Sequence, residues 1–91
     1  MTKHVNIILE GMVQGVFFRE STLDKARELS IAGFILNQPD GSVFIEAEGD
    51  ESSVATFVDW CKQGPPQANV QKCTTTDAEI KGFSEFEIHS V

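Results

Sequence analysis

The segment GMVQGVFFR, residues 11–19, contains the residue types needed to bind a phosphate group. Glycine at positions 11 and 15 allows backbone conformations that other residues avoid and lets a ligand approach the peptide plane. If the segment joins a strand to a helix, its unpaired N–H groups and the positive end of the helix dipole suit a phosphate-sized anion. Arg19 adds a planar cation that matches two phosphate oxygens. The segment is therefore a candidate phosphate site, with a structural turn beside a solvated arginine as the alternative.

Asn37 is a second candidate, at the end of the apolar run Phe34 to Leu36. Its carboxamide is able to donate a hydrogen bond to a water and accept one from it. The alternative is that Asn37 only begins the Gln38-Pro39-Asp40-Gly41 turn, where asparagine is common. If the end of this run lies beside the glycine segment, Asn37 can hold a water next to a bound phosphate. Spacing alone leaves both interpretations open.

Other familiar chemical motifs are missing from the sequence. Neither GxxxxGK[ST] nor GxGxxG is present, which argues against the common nucleotide-binding loops. Cys61 and Cys73 belong to no CxxC motif and have no nearby histidine, so we expect reduced thiols and no metal site, with a disulfide as the alternative that spacing does not decide. His4 and His89 are expected at solvated strand ends. The acidic residues between positions 46 and 51 lack a calcium-loop pattern and are expected to form a solvated face.

Composition restricts the classes of partner. The 91 residues carry a formal net charge of −7, which argues against nucleic-acid binding because clustered lysine and arginine drive that binding. No apolar run approaches the roughly 20 residues of a membrane helix. With 41% hydrophobic and 23% charged residues, the composition is that of a soluble globular protein. We expect one domain over residues 1–91, cytoplasmic and monomeric.

The hydrophobic periodicity predicts five strands and two helices. Alternation indicates strands at residues 4–10, 42–48 and 83–89, a short apolar run before a turn indicates one at 34–37, and β-branched residues indicate one at 69–76. Helical spacing indicates helices at 18–30 and after Asp50, which is a good N-cap. Gly64-Pro65-Pro66 should end the second helix. The inward-facing residues are predicted to be Val5, Ile7, Leu9, Leu23, Ala26, Leu29, Val43, Ile45, Ala47, Val54, Phe57, Val58, Cys61, Phe86 and Ile88. This order predicts an α+β, ferredoxin-like split βαβ sandwich, with two helices on one face of a mainly antiparallel sheet.

The two polar segments together resemble the acylphosphatase family. Residues 11–19 match the family pattern GxVQGVxFR without a gap, and residues 33–43 resemble its G-[WF]-V-x-N-xx-DG-x-V hairpin. The separation of 18 positions between Arg19 and Asn37 is also the family's. The resemblance covers nearly the whole chain.

This resemblance implies an enzyme that hydrolyses the carboxyl–phosphate bond of small acyl phosphates. It implies that the backbone amides of Gly15, Val16, Phe17, Phe18 and Arg19 bind the phosphate together with the Arg19 guanidinium. It also implies that the residue at position 37 positions the attacking water, and that no metal, organic cofactor or phosphoenzyme is involved. The alternative is a binding module of the same fold that holds a phosphorylated metabolite or a protein without turnover.

The sequence departs from the family pattern at several positions. Leu36 stands where many members have arginine, Gln38 where some have threonine, and Phe34 where tryptophan is frequent. Loss of the arginine is expected to affect turnover and substrate preference more than the class of reaction. Ser30 replaces the glycine that usually ends the first helix and is expected to lower stability.

Overall fold

The computed structural model describes residues 1–90 and contains the predicted number of helices and strands. In chain order the elements are β1 (Thr2–Met12), α1 (Phe18–Glu28), β2 (Ala32–Asn37), β3 (Val43–Asp50), α2 (Glu51–Gln63), β4 (Asn69–Ala78) and β5 (Phe86–Ile88). Strands β1 and β4 are longer than predicted, because backbone pairing continues past the predicted residues.

The strands form one sheet in the order β4-β1-β3-β2-β5. All neighbouring strands pair antiparallel except β2 and β5, which pair parallel. The predicted α+β, ferredoxin-like fold is confirmed, with β5 as the additional edge strand. No helix among residues 1–90 has the length and apolar character needed to span a lipid bilayer.

The core lies between the helices and one face of the sheet. Alternate residues of β1 and β3 face each other across the ladder, as Val5 with Ala47 and Ile7 with Ile45. All four are buried, together with Val54, Phe57 and Cys61 on α2. This arrangement confirms the predicted inward faces of β1, β3 and α2.

Helix α1 begins and ends with residues in the left-handed backbone conformation. Phe17, at its start, has φ of 59°, and Ser30, just after its end, has φ of 57°. The N–H of Ile31 donates to the carbonyl of Ala26 at 2.8 Å and that of Ser30 to Arg27 at 3.2 Å. These bonds form a Schellman motif, in which glycine normally occupies the position of Ser30. The helix ends earlier than the predicted residue 30 because this motif closes it.

The predicted strand over residues 83–89 is wrong in its first three residues. Strand β4 lies at one edge of the sheet and β5 at the other, so the connection between Ala78 and Phe86 has to cross the sheet. Residues 79–85 cross the face opposite the helices and are not themselves in a strand, and the contact with β2 begins where the Gly33 N–H donates to the Glu85 carbonyl at 3.0 Å. Phe86 is buried as predicted, but Ile88, on the same face two residues further along this edge strand, is 37% exposed.

The expectation of a solvated acidic face is wrong for Glu46 and Glu48, and so is the expectation that His4 is solvated. His4 is only 1% exposed, and its Nδ1 and Nε2 lie 2.8 Å and 2.9 Å from Glu48 Oε2 and Glu46 Oε1. The imidazolium form satisfies both contacts, because both of its ring nitrogens are donors. No local pattern indicates this cluster, because the burial comes from the crossing segment 79–85.

Glu48 fastens that crossing segment to the sheet. Its carboxylate accepts hydrogen bonds from the backbone N–H groups of Lys81, Gly82 and Phe83 at 2.7, 2.9 and 3.0 Å. The ring of Phe83 lies 5.6 Å from that of His4, and Lys81 Nζ contacts Glu46 at 2.9 Å. We refer to His4, Glu46, Glu48 and Lys81 as the sheet-face cluster. It lies on the opposite side of the sheet from the helices.

Candidate active site

The start of helix α1 presents backbone N–H groups without backbone partners. The first N–H of this region to donate to a backbone carbonyl is that of Ser21, which bonds to Phe17 at 3.1 Å. Within residues 1–90, no N–H from positions 15–20 has a hydrogen-bond partner, and no side chain caps the helix. A helix N-terminus in this state has unsatisfied donors and a partial positive charge, both suited to an anion.

Two left-handed residues shape the loop before the helix. Gly15 has φ of 71°, and Phe17 has φ of 59° followed by helical residues. A left-handed residue next to a right-handed one turns successive N–H groups toward a common point, which makes an anion-binding concavity. Among residues 1–90, no atom outside its chain neighbours lies within 4 Å of where a Cβ of Gly15 would be, so its backbone conformation, not space, explains the glycine.

Gln14 fixes this loop to the β2–β3 hairpin. Its Nε2 donates to the carbonyl oxygens of Gln38 and Ser42, each at 2.8 Å. The hairpin is itself braced, because the Ser42 hydroxyl and N–H donate to Asp40 Oδ1 at 2.6 Å and 2.9 Å. These hydrogen bonds hold the pKa of Asp40 below its ordinary value. Nothing in the sequence indicated this bracing role of Gln14.

A cavity of about 200 Å³ lies where the loop, the start of α1 and the end of β2 meet. It is lined by Val13, Gly15, Phe17, Phe18, Arg19, Glu20 and Asn37. Five of the six residues suggested for the site therefore border one cavity. The exception is Val16, whose side chain packs against the core. Val13 and Glu20 also line the cavity, and nothing in the sequence marked them.

Neither polar side chain singled out from the sequence is engaged elsewhere in the protein. Arg19 is half-buried and forms no salt bridge within residues 1–90. Over the same residues, the buried side-chain oxygens without a hydrogen-bond partner are those of Asn6 and Asn37, and only Asn37 borders the cavity. A half-turn of its carboxamide presents either the NH₂ group or the oxygen to a ligand. A cation and an uncommitted amide thus face one space.

Comparison with known proteins agrees with this arrangement. The family model for acylphosphatase matches residues 5–88. The chain is 41% identical over 87 residues to the acylphosphatase of Methylococcus capsulatus, covering 94% of this chain and 95% of that protein. The chain belongs to the acylphosphatase family. Acyl phosphate hydrolysis is the activity that this membership assigns to it.

Solved structures of acylphosphatases share the fold closely. The crystal structure of acylphosphatase from Bacillus subtilis superposes with a TM-score of 0.93 at 36% identity, covering 98% of this chain and 99% of that one. Full-length HypF, in a phosphate- and nucleotide-bound form, contains a similar unit with a TM-score of 0.91 at 27% identity. This chain covers only 12% of that protein, so the acylphosphatase fold also occurs as one part of a longer chain. None of these similarities favours the non-catalytic alternative.

Cysteine and histidine lie away from the acylphosphatase cavity. Cys61 is buried and Cys73 half-buried, and both are free thiols. Burial raises the pKa of each thiol, which keeps it in the poorly nucleophilic protonated form. Neither His4 nor His89 borders the cavity. Across residues 1–90, no three His, Cys, Asp or Glu side chains converge as a metal-binding group.

The departures from the acylphosphatase pattern lie outside the cavity lining. Leu36 precedes Asn37 on β2, and neighbouring strand residues point to opposite faces of a sheet, so the two side chains diverge. The side-chain amide of Gln38 lies 2.7 Å from the Ser42 hydroxyl oxygen, within the same hairpin. Phe34 packs on the far face, stacked on His89 with ring centroids 4.6 Å apart. Each departure therefore leaves the surroundings of Arg19 and Asn37 in place.

Proposed function

We propose that the cavity hydrolyses acyl phosphates to a carboxylate and inorganic phosphate by in-line attack of water. The backbone amides of Gly15 to Arg19 and the Arg19 guanidinium bind the phosphate, and Asn37 positions the water. The observation that carries the proposal is the convergence on one cavity of unpartnered helix N-terminal amides, an unpaired arginine and an uncommitted asparagine.

Phosphate binding draws on charge and on fixed geometry. The N–H groups of residues 15–19 and the helix dipole supply partial positive charge that needs no rearrangement, and Arg19 adds a full charge. The amide array is also built before substrate arrives, because Gln14 and the left-handed residues hold the loop. A site of this kind stabilises the charge that builds up on the transferred phosphoryl oxygens.

The chemical step requires little from the protein beyond positioning. The water oxygen forms a bond to phosphorus while the bond from phosphorus to the acyl oxygen breaks, releasing a carboxylate that is a good leaving group. The water proton passes to an oxygen of the substrate, either on the phosphate or on the carboxylate. Asn37 holds the water near the phosphorus, and such orientation alone lowers the barrier substantially. This chemistry needs no activated side-chain nucleophile, metal or organic cofactor.

The two arginines of the chain provide a matched test. We expect Arg19→Ala to lower kcat for benzoyl phosphate by on the order of 10²-fold or more, as loss of a preorganised charge does. Arg27 lies on the same helix, is exposed and does not border the cavity, so Arg27→Ala should retain the wild-type rate. Equal rates for the two variants would overturn the proposal.

The same assay distinguishes this reaction from metal-dependent phosphatase chemistry. The rate should persist after EDTA treatment, and p-nitrophenyl phosphate should be turned over negligibly, because its leaving group is poorer than a carboxylate. Inorganic phosphate should inhibit competitively and lose potency in Arg19→Ala. Loss of activity after EDTA treatment would contradict the proposal, and so would turnover of p-nitrophenyl phosphate at the rate of benzoyl phosphate.

We further propose one domain over residues 1–91 that acts as a cytoplasmic monomer without a nucleic-acid partner. The family match over residues 5–88 supports a single domain, and the net charge of −7 argues against nucleic acid. Light scattering should give the mass of one chain at micromolar concentration. A mass of two chains or more would contradict the monomer.

A further inference from the structure

Phe17 is the exposed apolar side chain at the cavity. Its neighbour Phe18 is 2% exposed and packs edge-on against Trp60, with ring centroids 6.0 Å apart. Phe17 lines the same cavity yet is 70% exposed. Its ring is therefore free to contact a ligand, whereas the Phe18 ring belongs to the core.

The backbone at Phe17 makes this choice of residue costly for the fold. A left-handed conformation at φ of 59° is rare for a bulky residue, and glycine adopts it without penalty. The exposed aromatic ring also gains little from the hydrophobic effect. Conformational outliers of this kind concentrate at functional sites, where the strain is offset by what the residue does. The phosphate cradle, by which we mean the backbone N–H groups of residues 15–19, needs the left-handed conformation of Phe17. It does not need the Phe17 ring.

The size of the cavity indicates where the acyl group of the substrate lies. Pockets that enclose a whole small molecule usually measure roughly 300–1,000 Å³, which exceeds the volume of about 200 Å³ found here. The cavity is suited to a phosphoryl group and a water, so the acyl group extends to its mouth. Glu20 is the carboxylate among the lining residues and is exposed, which disfavours an acidic acyl group there.

We propose that Phe17 forms a subsite for the acyl group and favours aromatic and other apolar acyl phosphates. The inference rests on the proposed function, since it assigns the substrate preference of the same cavity. The ring packs against the acyl group, while the backbone of the same residue contributes to the phosphate cradle.

The test compares two substrates that share the phosphate and differ in the acyl group. We expect Phe17→Gly to lower the ratio of kcat/KM for benzoyl phosphate to that for acetyl phosphate by roughly three- to tenfold, the usual value of an aromatic contact. Glycine suits the left-handed backbone, and any effect on the phosphate cradle cancels in the ratio. Phe17→Leu should give an intermediate ratio.

A matched control removes another exposed apolar side chain. Ile80 is 53% exposed and lies in the segment that crosses the opposite face of the sheet, so Ile80→Ala should leave the ratio unchanged. An unchanged ratio in Phe17→Gly, with both substrates still hydrolysed, would overturn the subsite and leave the proposed function standing. Failure of the wild-type protein to hydrolyse either substrate would overturn both.

Discussion

At the scale of single residues, the site consists of groups that the fold leaves without protein partners. A buried amide oxygen without a hydrogen bond usually costs about 1–3 kcal/mol, and among residues 1–90 the Asn37 oxygen is in that state at the cavity. The sequence indicated Arg19 and Asn37 because their residue types and separation match a family pattern. It did not indicate Glu20 or Val13, which reach the cavity only through the path of the backbone.

The two asparagines with unpartnered oxygens allow the role of Asn37 to be isolated. We expect Asn37→Ala to lower kcat by on the order of 10²-fold or more, while the inhibition constant of inorganic phosphate changes little, because the amide acts on the water. Asn6 lies on β1 away from the cavity, and Asn6→Ala should keep the wild-type kcat. A normal kcat in Asn37→Ala would reject the water-positioning role.

At the scale of elements, local patterns predicted the helices and most of each strand. Alternation predicted the buried faces of β1 and β3 because the core covers one side of the sheet along their length. It failed for residues 83–85 and for the sheet-face cluster because their environment depends on strand order. The order β4-β1-β3-β2-β5 forces residues 79–85 across the sheet, and no local pattern in the sequence contains that order.

Ser30 provides a test of how helix α1 ends. Because Ser30 is left-handed with φ of 57°, Ser30→Gly should raise the free energy of unfolding by roughly 0.5–1 kcal/mol. Ser53 lies within helix α2, so Ser53→Gly should instead lower that free energy by a similar amount. Urea denaturation measures both changes. A loss of stability in Ser30→Gly would show that the serine side chain contributes more than its backbone conformation costs.

At the scale of the whole molecule, the candidate active site and the sheet-face cluster lie at separate places and have different roles. The loop between β1 and α1 carries the proposed phosphate site, and the cluster on the far face holds the crossing segment that leads to β5. Burial raises the pKa of Glu48, but hydrogen bonds with His4 and three backbone N–H groups outweigh it and hold the pKa below its ordinary value. Folding therefore favours the ionised carboxylate.

This linkage predicts how stability depends on pH. A carboxylate with a lowered folded-state pKa contributes stability that is fully present above its ordinary pKa of 4.5 and is lost as pH falls through the lowered value. We expect the free energy of unfolding to decrease below about pH 4.5, and to decrease less steeply in Glu48→Gln. Denaturation between pH 7 and pH 3 measures both slopes. If the free energy of unfolding decreases with falling pH equally steeply in the wild type and in Glu48→Gln, Glu48 does not contribute to the acid sensitivity.

The proposed function depends on phosphate binding by the amides of residues 15–19 and the Arg19 guanidinium. Amide chemical shifts recorded during titration with inorganic phosphate test it directly in solution. We expect saturable shifts at residues 15–19, with a dissociation constant equal to the inhibition constant for benzoyl phosphate hydrolysis, and loss of both in Arg19→Ala. Saturable shifts confined to another part of the molecule, or undiminished binding in Arg19→Ala, would show that these groups do not hold the phosphate.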